Sequence, residues 1–247
     1  MAKLNVNIDL VARLRELRGT SYPDLLLAAD IVERAGAAGI TVHLRQDRRH
    51  IQDADLPALR KSIRTRLNLE MANTGEMTQI ALDVKPDMVT LVPENPGEVT
   101  TQGGLDAIAH EKSLAATTRA LQGAGIHVSF FIDPDAAQID ASKRCGAQSI
   151  ELCTAAYSEA RTAEEQVVEF KKIAGAAKHA AESDLLVNVG HGLDYQNTPM
   201  LAGLAGIEDF NTGHAIVIQA LFDGLHKAVA DMVRLVEGEK PIQKRMA

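Results

Sequence analysis

The residues that could do chemistry in this 247-residue chain gather just after short apolar runs. Asn7-Ile8-Asp9 ends the first such run. His43-Leu44-Arg45 ends the second and continues into Gln46-Asp47-Arg48-Arg49-His50. Asn68-Leu69-Glu70 ends the third, and Asp133 and Glu151 close later ones. Asn188-Val189-Gly190-His191-Gly192 and Asn211-Thr212-Gly213-His214 follow toward the C-terminus. Histidine titrates near neutrality and is the usual general acid or base. Of the eight histidines, His43, His191 and His214 sit at run ends and His50 in the loop after the second run. His110, His179 and His226 fall on helical stretches, and His127 opens a run rather than closing one. In an extended strand alternate residues share a face, so Asn7 is expected to point the same way as Asp9, His43 as Arg45 and Asn68 as Glu70. One polar strand end is commonly only a cap or a loop start. Its recurrence on nearly every run favours a shared site.

The glycines suggest anion binding. Gly190-His191-Gly192 and Gly213-His214 could offer unpaired backbone N–H groups at helix starts, although plain glycine turns are the alternative. Arg45, Arg48 and Arg49, with Arg13, Arg15 and Arg18, could supply fixed cations; some of the six are surface charges. Together they offer room for two phosphate groups. No lysine follows a run, so a Schiff base on the enzyme is not expected. There is no H-x-H or H-E-x-x-H and no clear metal site, though a His43/Glu70/His191 cage is geometrically possible. Cys153, just past Glu151, reads as a small buried hydrophobe rather than a nucleophile.

The elements that must position these residues alternate. Strand candidates span 4–9, 39–44, 67–70, 88–92, 126–132, 149–152, 185–189 and 207–211. Helix candidates span 25–35, 53–63, 75–84, 111–121, 135–144, 163–182, 198–202 and 215–236. Several junctions read helix–Gly–strand, at Gly36, Gly125 and Gly146. Eight such units point to a closed (β/α)8 barrel, in which strand C-terminal ends carry the active site. An open doubly wound sheet is the rival, weakened because no G-x-G-x-x-G follows the first strand. A single domain over 1–247 is expected, with 239–247 a frayed tail. The long loop 93–104, with two prolines and three glycines, reads as a lid or binding loop.

Composition narrows the function classes. Hydrophobic residues make up 46% and aromatics 3%, with no Trp. So few aromatics argue against a base-stacking module. A formal charge of −7, from 33 acidic and 26 basic residues, gives no global attraction for nucleic acid or an anionic membrane. Two cysteines make no disulfide framework, and no run is long enough to span a membrane. With no signal-peptide pattern in the first residues, a cytoplasmic location is expected.

Motifs over about residues 4–236 resemble the pyridoxine 5′-phosphate synthase family. They are Asn7-Ile8-Asp9, Arg18-Gly19-Thr20-x-Tyr22-Pro23-Asp24, the stretch from Gly39 to Ile51, Asn68-Leu69-Glu70-Met71 and Leu91-Val92-Pro93-Glu94. Glu98-Val99-Thr100-Thr101-x-Gly103-Gly104, Asn188-x-Gly190-His191-Gly192-Leu193 and Asn211-x-Gly213-His214 extend the match. The resemblance implies a (β/α)8 TIM barrel with extra helices, assembled as a homo-octamer. It implies condensation of 1-deoxy-D-xylulose 5-phosphate with 3-amino-2-oxopropyl phosphate. The products would be pyridoxine 5′-phosphate, inorganic phosphate and water, with no metal or organic cofactor. Position by position, it makes His43 and Glu70 proton acceptors, His191 a proton donor and Glu151 a stabiliser of charged intermediates. It assigns Asn7, Arg18, Gly192, Gly213 and His214 to the aminoketone phosphate. Asp9, Arg45, His50 and Thr100 fall to the deoxyxylulose phosphate. The family pattern usually reads N-x-D-H, whereas position 10 here is Leu, leaving a neighbour such as His50 or Arg13 to substitute. Another phosphate-binding barrel enzyme, such as an isomerase or a metal-dependent aldolase, is the alternative. A non-catalytic sugar-phosphate-binding protein is a third reading.

Overall fold

The computed structural model describes residues 1–95, 101 and 103–238. Eight parallel strands close into a barrel in chain order. They are β1 (Lys3–Asn7), β2 (Gly39–His43), β3 (Arg66–Met71), β4 (Met88–Leu91), β5 (His127–Ile132), β6 (Ser149–Cys153), β7 (Leu186–Gly190) and β8 (Ile207–Thr212). Pairing of β8 with β1, Leu4 opposite Phe210, completes the ring. The expected (β/α)8 architecture is therefore the observed one. The helices are α1 (Asp9–Arg18), α2 (Leu25–Arg34), α3 (Asp55–Ser62), α4 (Gly75–Val84), α5 (Glu111–Gly123), α6 (Ala136–Arg144), α7 (Ala155–Ser158), α8 (Ala163–Glu182), α9 (Thr198–Ala202), α10 (His214–Asp223) and α11 (Leu225–Val236). The units after β1, β6 and β8 carry two helices each, which are the extra helices expected.

Local chemistry explains where several helices start and stop. The side chain of Asp24 accepts from Leu26 and Leu27 N–H, Thr74 from Met77 and Asp135 from Ala137 and Gln138, satisfying donors that a helix start leaves open. Gly36, Gly125 and Gly146 have φ of 99°, 83° and 87°, the left-handed turns foreseen at helix–strand junctions.

Several ends shift by a residue or two and α7 falls in no expected helix; two differences from the sequence reading go further. The first strand stops at Asn7, and Asp9 opens α1, a helix missed because it buries only Val11 and Ala12 and so shows little apolar periodicity. The stretch 215–236 is not one helix but two. Gly224, at φ 79° and ψ 150°, breaks it in a conformation that side chains resist.

Alternation within the strands sorts the two faces. Val6, Ile40, Val42, Leu67, Leu69, Val89, Leu91, Val128, Phe130, Ile150, Leu152, Val187 and Val189 belong to the core cluster, where they pack with apolar residues of the helices. Intervening positions hold Asn5, Thr41, Asn68, Thr90, Ser129, Ser149, Asn188 and Asn211, all buried. Bonds such as Asn211 (β8) to Glu151 (β6) cross between strands that are not neighbours, so these polar residues fill the lumen. A barrel interior is more often packed with branched apolar residues. Buried amides and hydroxyls must find partners to avoid a desolvation cost of about 1–3 kcal/mol each. No described helix is long and apolar enough to cross a membrane.

Candidate active site

The C-terminal mouth gathers most of the expected residues. Asn7, at the end of β1, donates from Nδ2 to Asp9 Oδ2 at 2.8 Å, and its Oδ1 accepts from Asp9 N–H at 2.9 Å. The two side chains thus share the mouth as expected, although through a strand-to-helix turn rather than strand alternation. Asp9 Oδ1 also accepts the backbone N–H of His43 at 2.9 Å, joining the tops of β1 and β2.

His43 is the centre of the acid/base group. Its Nδ1 stands 3.8 Å from Glu70 Oε2, and its Nε2 lies 2.8 Å from Glu94 Oε1. Glu94 Oε2 also accepts from Gln46 N–H and Gln46 Nε2. Burial pushes the Glu94 carboxyl up, but the bonds from His43 and Gln46 outweigh it and hold the group below the usual range. Sequence reading gave Glu94 no role. It follows β4 by three residues and closes the Leu91-Val92-Pro93-Glu94 motif, the signal that could have marked it.

Glu70 and Glu151 are carboxyls in a closed lumen. Burial, then the charges of Glu151 and Asp9, push Glu70 well above the usual carboxylate range. Glu151, 3% exposed, is pushed up to about 8 by burial, against the pull of its bond from Asn211. Asp9, His43 and Glu70 each offer a ligand atom within 4.8 Å of the others, so three donors could meet a cation here. Asp9 takes the place that the sequence-based cage gave to His191. Both Asp9 oxygens already accept hydrogen bonds, which fits an acid/base cluster better than a ligand set.

His50 lies in the loop after β2, its ring 6.3 Å from that of His43 and its Nδ1 4.0 Å from Asp9 Oδ1. Arg45 is 4% exposed beside Asp47, Nε 3.6 Å from Oδ1. Burial lowers the pKa of both His50 and His191, which favours neutral imidazoles at pH 7. Arg13 is bonded to Glu16 and to the carbonyl of Arg49, and Leu10 packs against the core.

The loops after β7 and β8 form the second part of the mouth. His191 and Gly192 both have positive φ, 83° and 76°. The turn is held by its carbonyls: Thr154 Oγ1 donates to Gly190 O and His191 O, Asn197 Nδ2 to Gly192 O and Thr212 Oγ1 to Leu193 O. Among the described residues the N–H groups of Gly192 and Gly213 find no protein acceptor. His214 opens α10 with its side chain exposed. Gly213 is glycine for a reason other than anion access: a Cβ there would lie 2.2 Å from Asn7 O. Arg18, at the exposed end of α1, makes no hydrogen bond or ion pair to another site residue among those described. Thr100, half of the loop 93–104 (96–100 and 102) and the tail 239–247 lie outside the described residues.

The arrangement supplies two carboxyls with raised pKa, a histidine between Glu70 and an ionised Glu94, and free amides at a helix start. That is equipment for moving protons on an anionic substrate. Among solved structures, orotidine 5′-monophosphate decarboxylase from Methanocaldococcus jannaschii superposes with a TM-score of 0.66 at 11% identity, over 96% of this chain and 99% of that one. This likeness concerns the fold alone. A pyridoxine 5′-phosphate synthase of Aliivibrio fischeri is 55% identical over 237 residues, covering 96% of this chain and 98% of that protein. One of Geobacter sulfurreducens is 54% identical over 237 residues, covering 96% and 99%. The profile of the family described as pyridoxal phosphate biosynthesis protein PdxJ matches residues 4–238. By the length of that match and by these identities, the chain belongs to the PdxJ family of pyridoxal phosphate biosynthesis proteins.

Proposed function

We propose that this chain is a pyridoxine 5′-phosphate synthase, joining 1-deoxy-D-xylulose 5-phosphate to 3-amino-2-oxopropyl phosphate with release of inorganic phosphate and water. The observation that carries the reading is the placement of His43 between Glu70 and Glu94 in a chain of this family. Ring formation requires repeated proton removal beside carbonyl or imine carbons. His43 and Glu70 accept those protons, and His191 returns one as donor. Glu151, buried across the lumen, stabilises charged intermediates. The substrate brings its own amine, so no enzyme lysine is needed, and no metal or organic cofactor takes part.

Two phosphate sites complete the reading. Asn7, Arg18, Gly192, Gly213 and His214 hold the aminoketone phosphate, supported by the free amides of Gly192 and Gly213. Asp9, Arg45 and His50, with Thr100, hold the deoxyxylulose phosphate; Asp9 and His50 adjoin His43. A homo-octamer acting in the cytoplasm is part of the same proposal. Exposed Leu17, Tyr22, Leu221 and Phe222 offer apolar surface for subunit contact. Incubation with both substrates, assayed for pyridoxine 5′-phosphate and free phosphate, tests the function. Binding of both without turnover would leave a sugar-phosphate-binding protein instead.

A further inference from the structure

Asn5 and Asn211 have no place in the roles above, yet both are buried in the lumen, 4% and 5% exposed. They link Arg66 to Glu151 in one continuous chain. Arg66 Nη2 donates to Asn5 Oδ1 at 3.1 Å, Asn5 Nδ2 donates to Asn211 Oδ1 at 2.9 Å, and Asn211 Nδ2 donates to Glu151 Oε2. The chain starts at the N-terminal mouth, where Arg66 lines a cavity and pairs with Asp209 at 2.8 and 2.9 Å. It ends in the candidate active site.

Its direction follows from its first member. A guanidinium has donors only. Asn5 must turn its oxygen to Arg66, which leaves its nitrogen for Asn211. Asn211 must then turn its oxygen to Asn5 and its nitrogen to Glu151. Two glycines make room for the ends. A Cβ on Gly39 would lie 2.5 Å from Asn5 Oδ1, and one on Gly190 would lie 2.0 Å from Glu151 Oε1. Neither glycine has a positive φ, so what each supplies is space.

We infer that Asn5 and Asn211 are positioning residues, and that this one-way chain holds Glu151 Oε2 as an acceptor, so that only Oε1, beside Gly190, takes up or releases a proton. The inference rests on the role proposed for Glu151. Other charged and titratable groups around Glu151 are Glu70 on β3, Asp209 on β8, Cys153 on β6 itself and His191 after Gly190. From β5 and β7 its neighbours in register, Phe131 and Asn188, carry no charge. Arg66 reaches it only through the two amides. The Asn211 bond favours the ionised form of Glu151 against burial, so loss of the chain raises the pH at which Glu151 ionises.

The test compares the full-length enzyme with Asn211→Leu, Asn5→Leu and Glu151→Gln. Both leucine substitutions are near-isosteric and leave the charge unchanged. Two readouts are taken: the 13C shift of the Glu151 carboxyl against pH without substrates, and kcat and KM against pH with both. Asn211→Leu is expected to move the Glu151 midpoint up by about one pH unit. Asn5→Leu, which does not touch Glu151, is expected to move it the same way by less. KM for each substrate should stay within about twofold while the kcat profile shifts with the midpoint. If a leucine variant does not fold, Asn5→Ser and Asn211→Ser carry the same comparison. An unmoved Glu151 midpoint in the Asn5 variant overturns the chain, even where Asn211→Leu has an effect. Full activity of Glu151→Gln overturns the role of Glu151 instead, and the carboxyl titration still decides the chain.

Discussion

His43 is bonded through Nε2 to Glu94 Oε1 at 2.8 Å, while its Nδ1 stands 3.8 Å from Glu70 Oε2. Glu94 is held ionised and can only accept, so Nε2 carries the proton in that bond. The lone pair for catalysis is then on Nδ1, on the Glu70 side. A buried carboxylate that fixes a histidine tautomer is a recurring device in acid/base sites. Glu94→Gln is expected to lower kcat by about 10²-fold with little change in KM, because general-base catalysis contributes about 10²–10⁴-fold. Steady-state kinetics decide it; a kcat within about threefold of the parent counts against the assignment.

Glu70 should be a base whose competent form grows as pH rises, since burial, Glu151 and Asp9 all raise its pKa. Glu70→Gln keeps the volume and removes the base. Turnover is expected to fall by about 10²–10⁴-fold with the fold intact by circular dichroism. Near-parental turnover would remove Glu70 from the mechanism.

Glu151 has a stability consequence with a definite sign. Its folded pKa is about 8 against an ordinary 4.5. Between those values the folded state binds more protons than the unfolded one, so stability is full below about pH 4.5 and is lost as pH rises toward 8. Glu151→Gln has no such loss. Its Tm relative to the parent should therefore increase from pH 5 to pH 8, each kcal/mol being worth about 2–4 °C in a protein of this size. A Tm difference that does not change with pH is the contrary result.

Gly213 should be intolerant for steric reasons. A Cβ would lie 2.2 Å from Asn7 O, which belongs to backbone and cannot swing aside. Gly213→Ala is expected to cost about 1–3 kcal/mol, as overpacking does. At Gly75 nothing lies within 4 Å, so Gly75→Ala should leave Tm unchanged or raised. Thermal melts of the pair suffice. Equal Tm values for the two variants would contradict the close approach of β1 to α10.

Arg18 is exposed and free of bonds to the other site residues among those described. Its removal should therefore be felt in binding and not in folding. Arg18→Ala is expected to weaken the aminoketone phosphate by roughly 10–100-fold, the value of about 1.5–3 kcal/mol for a charge-assisted bond. Separate titrations with each substrate and a melt provide the check. A loss confined to the deoxyxylulose phosphate would reassign the residue.

The strands and their order were legible in the sequence because each strand carries alternating apolar residues for the helix layer. Gly36, Gly125 and Gly146 marked the junctions for the same local reason, a left-handed turn that glycine adopts freely. Local pattern also placed His43, Glu70, His191 and Gly192 at strand ends, and hence at one mouth of a closed barrel. It failed where energetics were not periodic. α1 buries too little to announce itself, and Gly224 breaks a helix whose apolar spacing runs on past it. Tertiary structure alone decided the pairings. Glu94 and His43 are 51 residues apart, Asn5 and Asn211 206 apart. No spacing rule reaches that far; closure of β8 on β1 brings Asn5 to Asn211, and the course of the chain after β4 brings Glu94 to β2. The raised pKa of Glu70 and Glu151 arises in the same way. A carboxyl is ordinary in sequence and becomes unusual only when the barrel closes and takes the water away.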